Sequence, residues 1–239
     1  MNEYGLSNKF IIGGSADLAA STKQIISDNT FGSNNFGGNS IEFGIREHAM
    51  GGIVNGLALH SNLIPYGSTF LVFSDYMRPS MRLASLMNVN SLFIFTHDSI
   101  YLGEDGPTHQ PIEHLMSLRL IPNLDVIRPS NSMELIHSYR YALEKRDNPK
   151  AIILSRQNMK FFDNDVSYKD FQTGAYEFMP GKDITLVATG SELELAVEIS
   201  KNLKDLSVQI ISAPILNKIN KERIESVSYT HLRAHETVK

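Results

Sequence analysis

Glu47 is a carboxylate that opens an otherwise apolar helix, because Ala49, Met50, Ile53, Val54, Leu57 and Ala58 follow it at helical spacing. A helix that packs inward carries this acid with it. The helix dipole and a pairing with Arg46 would explain it structurally. Other residues with chemical potential fall in turns just after apolar runs. Gly13-Gly14-Ser15-Ala16-Asp17 follows Phe10-Ile11-Ile12, and Thr96-His97-Asp98-Ser99 follows Leu92-Phe93-Ile94-Phe95. Gly103-Glu104-Asp105-Gly106-Pro107-Thr108-His109-Gln110-Pro111 comes next, and Ser155-Arg156-Gln157-Asn158 follows Ala151 to Leu154. Taken singly each is ordinary: a tight turn, a helix cap, a loop breaker, a surface arginine. Their recurrence at the carboxyl ends of apolar runs is what marks them, since ligands of α/β folds sit at that rim. Phe70, Phe73 and Tyr76 recur at every third position, as a packed face or a turn at a strand-to-helix junction.

The elements that would position these residues alternate between short apolar runs and amphipathic stretches. Helices are expected over 47–60, 76–87, 112–120 and 132–145, and strands near 10–12, 69–73, 92–95, 126–127 and 151–154. This predicts an α/β fold with a parallel sheet. The stretch 162–181, with Asp163, Asn164 and Asp165, shows no sustained period and reads as an interdomain connection. A strand over 184–188, a helix over 192–203 and a strand over 208–211 then form one further β-α-β unit. Residues 226–239 break the pattern, bring His231 and His235 into a short span, and read as a foreign tail. The expected organisation is 1–161, a connection over 162–181, a truncated second unit over 182–225, and the tail.

The 239 residues, 42% of them hydrophobic, suffice for a packed core. A net charge of -4 gives no general attraction to nucleic acid or to an anionic membrane, so any anion site must be local. The absence of Cys excludes disulfides and thiolate metal sites and suits the cytoplasm. No apolar run reaches membrane-spanning length.

The motifs Gly-Gly-Ser-Ala-Asp-Leu, Phe-Gly-Ile-Arg-Glu-His-Ala-Met, Gly-Glu-Asp-Gly-Pro-Thr-His-Gln-Pro and Leu-Ser-Arg-Gln-Asn, in this order, resemble those of the transketolase family over about residues 8–224. The resemblance implies a pyrimidine-binding domain for thiamine diphosphate followed by the start of a C-terminal domain. It implies that Glu47 bonds a pyrimidine nitrogen and promotes the imino tautomer, with Phe70, Phe73, Tyr76 and Asp17 around the cofactor. It implies that Ser21, His97 and Arg156 meet the substrate phosphate, that Asp105 and His109 meet sugar hydroxyls, and that His109 assists proton transfer. The reaction implied is transfer of a two-carbon ketol unit from a ketose phosphate to an aldose phosphate. A dihydroxyacetone synthase-like enzyme, or a non-catalytic module that keeps the fold, are the alternatives. No Gly-Asp-Gly motif for the metal and diphosphate occurs in residues 1–239. The resemblance therefore implies that Mg2+ or Ca2+ is bound by another domain. The chain reads as a fragment or as one subunit of a split enzyme, inactive alone, whose partner is a second copy in a dimer or a chain carrying that domain.

Overall fold

Strand β1 (Ile11–Ser15) is the second strand of a six-stranded sheet, and the computed structural model describes residues 10–24, 29–162 and 166–219. The polar run Asp163 to Asp165 and the expected foreign tail lie outside the described residues. After β1 come α1 (Ala19–Thr22), β2 (Ser40–Glu42), α2 (Glu47–His60), β3 (Ile64–Phe70), a 3-10 turn (Leu71–Phe73) and α3 (Ser74–Leu86). Then follow β4 (Leu92–Thr96), a second 3-10 turn (Ile100–Leu102), α4 (His114–Arg119), β5 (Asp125–Ile127), α5 (Ser132–Glu144) and β6 (Lys150–Ile153). The sheet order is β2-β1-β3-β4-β6-β5, and the neighbours β2-β1, β1-β3, β3-β4 and β4-β6 are all parallel. This is the α/β architecture that the alternation predicts.

The central strands are buried along their whole length, which is why they read as continuous apolar runs and not as alternation. Phe93, Ile94 and Phe95 of β4 and Ile152 and Ile153 of β6 form this floor. Across it, α2 packs on α3 through Gly51, where an added Cβ would come within 2.6 Å of Ser80 Cβ. Buried Asn55 completes that contact, donating to the Ser80 carbonyl at 2.8 Å and accepting from Ser91 Oγ at 2.7 Å.

The glycines of β1 are required by its neighbours. A Cβ on Gly14 would lie 1.9 Å from the Ile41 carbonyl oxygen, and one on Gly13 would lie 2.0 Å from that of Tyr66. Gly14→Ala is therefore expected to destabilise the chain by about 3 kcal/mol or more, because backbone must move. Soluble yield and the urea midpoint report the loss, and a near-wild-type midpoint would contradict the close approach.

Several elements differ from the sequence expectation. The strand expected over 69–73 runs from Ile64 to Phe70, while Leu71 to Phe73 turn as a 3-10 helix. Pro65 and Gly67 hide the strand's start from a pattern reading, yet pairing with both β1 and β4 holds Tyr66 to Phe70 extended. The helix expected over 112–120 shortens to His114–Arg119. At three and four residues, β2 and α1 are too short to show a period.

The chain divides into two compact units, Met1–Val126 with Ala142–Gln157, and Ile127–Tyr141 with Asn158–Lys239. In the second, α6 (Tyr168–Phe171), β7 (Tyr176–Met179), β8 (Ile184–Ala188), α7 (Glu192–Asn202) and β9 (Val208–Ser212) follow in order. Its sheet order is β7-β9-β8, with β8 and β9 parallel and β7 antiparallel to β9. The stretch read as a connection thus contributes a short helix and an edge strand. Glu134 of α5 is fully buried and accepts four hydrogen bonds. Ser130 N–H and Oγ donate to Oε2 at 2.6 and 2.8 Å, and Tyr176 OH and Ser212 Oγ donate to Oε1 at 2.8 and 2.5 Å. Burial, and then the charge of Glu134, push the Tyr176 phenol far above its ordinary pKa, so the phenol stays a donor.

Candidate active site

All ten residues singled out for chemistry belong to the first unit. Glu47 is the first residue of α2 and only 8% exposed. The ion pair with Arg46 is not formed: Arg46 Nη1 donates to the Phe43 carbonyl at 3.1 Å. Among the described residues the Glu47 carboxylate has no hydrogen-bond or ion-pair partner. Burying an unpartnered carboxylate costs free energy without a structural return, and such a group is poised to bond something else.

Glu47 faces a cavity of about 560 Å³ lined also by Asp17, Arg46, His48, Phe73, Tyr76 and His109. Asp17, in the turn after β1, has a left-handed backbone with φ of 60° and is exposed toward this cavity. Phe73 ends the first 3-10 turn, and Tyr76 stands in the first turn of α3 with 65% of its surface exposed. Their rings lie 6.0 Å apart at 30°, and His109 meets Phe73 edge-on at 5.4 Å. Thr108 Oγ1 is 2.9 Å from His109 Nδ1 and sets the ring's orientation. The loop that carries Asp105 and His109 is closed by His109 N–H donating to the Gly106 carbonyl at 3.1 Å and by Gln110 Nε2 reaching the Gly103 carbonyl at 3.4 Å.

Behind this wall Phe70, the last residue of β3, stacks on His97 at 3.7 Å and lies parallel to Phe73 at 6.1 Å. His97 follows β4 directly, has φ of 59°, is buried, and has Thr96 Oγ1 at 2.8 Å from Nδ1. Burial holds its imidazole below the ordinary value of 6.5, and the Arg156 charge acts in the same direction. The carboxylates of Asp105 and Asp98 offset part of this. Exposed Asp105 and exposed Arg156 therefore both act electrostatically at His97. Ser21 is exposed on α1 and lines neither this cavity nor the adjoining one beside β2.

The depressed pKa carries a pH dependence whose sign is fixed. Unfolding returns His97 to about 6.5, so the unfolded chain binds the extra proton first and stability falls as pH drops through that value. Arg156→Gln is expected to raise the His97 pKa toward 6.5, readable as an imidazole NMR titration. An unchanged titration in that variant would exclude the electrostatic link.

The sequence reading did not assign Arg46, His48, Ile45 or Leu18 to the cavity wall, although all line it. Adjacency to Glu47 was the available signal for three of them.

Residues 1–161 match the family model described as transketolase, pyrimidine binding domain, and residues 174–237 match the transketolase-like TK C-terminal domain. The chain is 46% identical over 221 residues to the transketolase of Staphylococcus aureus (strain MW2), covering 89% of this chain and 33% of that one. It resembles the crystal structure of Pichia stipitis transketolase in complex with sedoheptulose-7-phosphate, with a TM-score of 0.85, 38% identity, and coverage of 91% of this chain and 34% of that one. It also resembles a structure described as split gene transketolase, inactive beta4 tetramer, with a TM-score of 0.77 and 26% identity, covering 95% of this chain and 73% of that one. A parallel sheet with a carboxylate and an aromatic wall at its rim defines an α/β domain with a candidate ligand site. The chain belongs to the transketolase family, and it spans about a third of the length of the curated relatives it matches.

Proposed function

We propose that this chain supplies the pyrimidine-binding wall of an enzyme that transfers a two-carbon ketol unit between sugar phosphates with thiamine diphosphate. The observation that carries this reading is the buried, unpartnered Glu47 carboxylate facing a cavity walled by Phe73, Tyr76 and His109. The donor set fits an aminopyrimidine: a flat ring needs aromatic faces, its ring nitrogen needs a carboxyl group shielded from water, and about 560 Å³ is ample for it.

When bound, thiamine diphosphate supplies a nucleophilic carbon and accepts the electron pair released on carbon-carbon cleavage. Glu47 would hold the pyrimidine by sharing a proton with its ring nitrogen, which would favour the imino tautomer. Phe73 and Tyr76 would line the slot for the ring, Phe70 backs Phe73 from behind, and Asp17 stands at the cavity edge. His109, its Nδ1 fixed by Thr108, moves a proton at the substrate's oxygen, and Asp105 accepts from a sugar hydroxyl. Arg156 carries the positive charge for the phosphate. His97, neutral at pH 7, contributes there as a hydrogen-bond donor, and the exposed Ser21 hydroxyl is the further group proposed for the phosphate.

The metal, Mg2+ or Ca2+, and the diphosphate belong to a domain that supplies the Gly-Asp-Gly motif. That domain comes from a partner chain, or from a longer protein acting as a homodimer, and this chain alone does not turn over. The split-gene structure supports the first arrangement by its coverage. The cytoplasm, where sugar phosphates are held, is the compartment proposed. No helix of the described residues is long and apolar enough to cross a membrane.

The test combines this chain with one carrying the diphosphate-binding domain and measures thiamine diphosphate affinity and ketol transfer. Both are expected only in the mixture. Turnover by this chain alone, or cofactor binding to the other chain that is unaltered by adding this one, would refute the reading.

A further inference from the structure

We propose that His114 Nδ1 and the Glu113 carboxylate ligate one divalent transition-metal cation of the zinc type, with Asp75 orienting the imidazole, outside the aromatic-walled cavity, which none of the three lines. Each offers a donor atom, and the three atoms lie within 4.8 Å of one another. Asp75 stands in the first turn of α3, and Glu113 and His114 start α4. His114 is 4% exposed, and its Nε2 lies 3.0 Å from Asp75 Oδ2. A carboxylate only accepts, so Nε2 carries the proton and Nδ1 carries the lone pair of the neutral ring. That Nδ1 is buried and has no hydrogen-bond partner, and Glu113 Oε2 faces it at 3.9 Å.

A lone pair opposite a carboxylate, too far apart to bond, is a pocket of negative potential that a cation would complete. The 3.9 Å gap is less than twice a ligand bond of about 2.0–2.2 Å, so one ion can bridge the two donors once the exposed Glu113 side chain closes slightly toward the ring. Asp75 behind the ring repeats the carboxylate-histidine-metal arrangement that orients a ligating imidazole. Imidazole with carboxylate suits Zn2+ better than Mg2+ or Ca2+. The Asp75 and Glu113 side chains are 53% and 72% exposed, which leaves a path for the ion and room for water as further ligands.

Calorimetric titration of the chain with ZnCl2 at pH 7.5 is expected to show one saturable site that MgCl2 does not fill. Glu113→Gln and Asp75→Asn, both at exposed carboxylates, are each expected to weaken it by about 10- to 100-fold. His114→Gln removes the site, and should that variant fail to fold, the two carboxylate variants decide. Co2+ in place of Zn2+ should give a visible absorption band whose half-saturation Glu113→Gln moves to higher Co2+ by the same factor. His231 and His235 can also take zinc, so binding left unchanged by both carboxylate variants overturns the proposal, as does no binding to the parent chain.

Discussion

Glu47→Gln, assembled with a chain that carries the diphosphate-binding domain, is expected to lose about 10²- to 10⁴-fold in turnover while folding as before. The amide keeps the shape of the side chain but cannot share a proton with a ring nitrogen. Stability should hardly respond. The substitution removes at most about 0.3–1 kcal/mol of favourable interaction with the start of α2. It also relieves the cost of a carboxylate buried without a partner. Steady-state ketol transfer and a urea midpoint, measured on the same preparation, separate the two roles. Full turnover would sink the catalytic assignment. A large stability loss with retained turnover would return Glu47 to the role of a helix-start residue.

Glu134→Ala should show the opposite pattern. Here the carboxylate is fully buried and engaged by four donors, two of them on strands of the second unit's sheet. Removing it leaves the Tyr176 and Ser212 hydroxyls and the Ser130 N–H and hydroxyl without their acceptor. A loss of about 3–5 kcal/mol is expected, as for breaking other buried charged networks. Tyr176→Phe deletes one donor and leaves three, so its cost should be smaller, about 1.5–3 kcal/mol. Denaturant titration of the two variants beside the parent measures both. A Glu134→Ala midpoint within error of the parent would show that the network holds nothing in place.

These two acids show what a sequence discloses. Glu47 stood out because it broke an apolar helical period whose limits, 47 and 60, are those of α2. The burial of its carboxylate followed from that period alone. Glu134 also sits in the first turn of an amphipathic helix, where the dipole explains an acid, and nothing nearby distinguishes it. Its partners Tyr176 and Ser212 are 42 and 78 residues away, so only the tertiary fold reveals its burial. His97 was legible as a candidate from its place after β4. Its lowered pKa was not, because that depends on the burial of the ring, over which Phe70 stacks, and on the charge of Arg156. The edge strand β7 escaped notice because its four residues, Tyr176-Glu177-Phe178-Met179, mix one charge with three large side chains and show no alternation.

The segment Ile127–Tyr141 lies inside the stretch that the pyrimidine-domain model matches, yet it is counted with the second unit. Covalent order and spatial grouping therefore do not coincide. A recombination or engineering cut after residue 161 would sever Glu134 from Tyr176 and Ser212 and strand a naked carboxylate in what had been a core. The heritable module in this chain is not a contiguous stretch. Rearrangements that keep it working have to carry α5 together with the sheet of β7, β8 and β9.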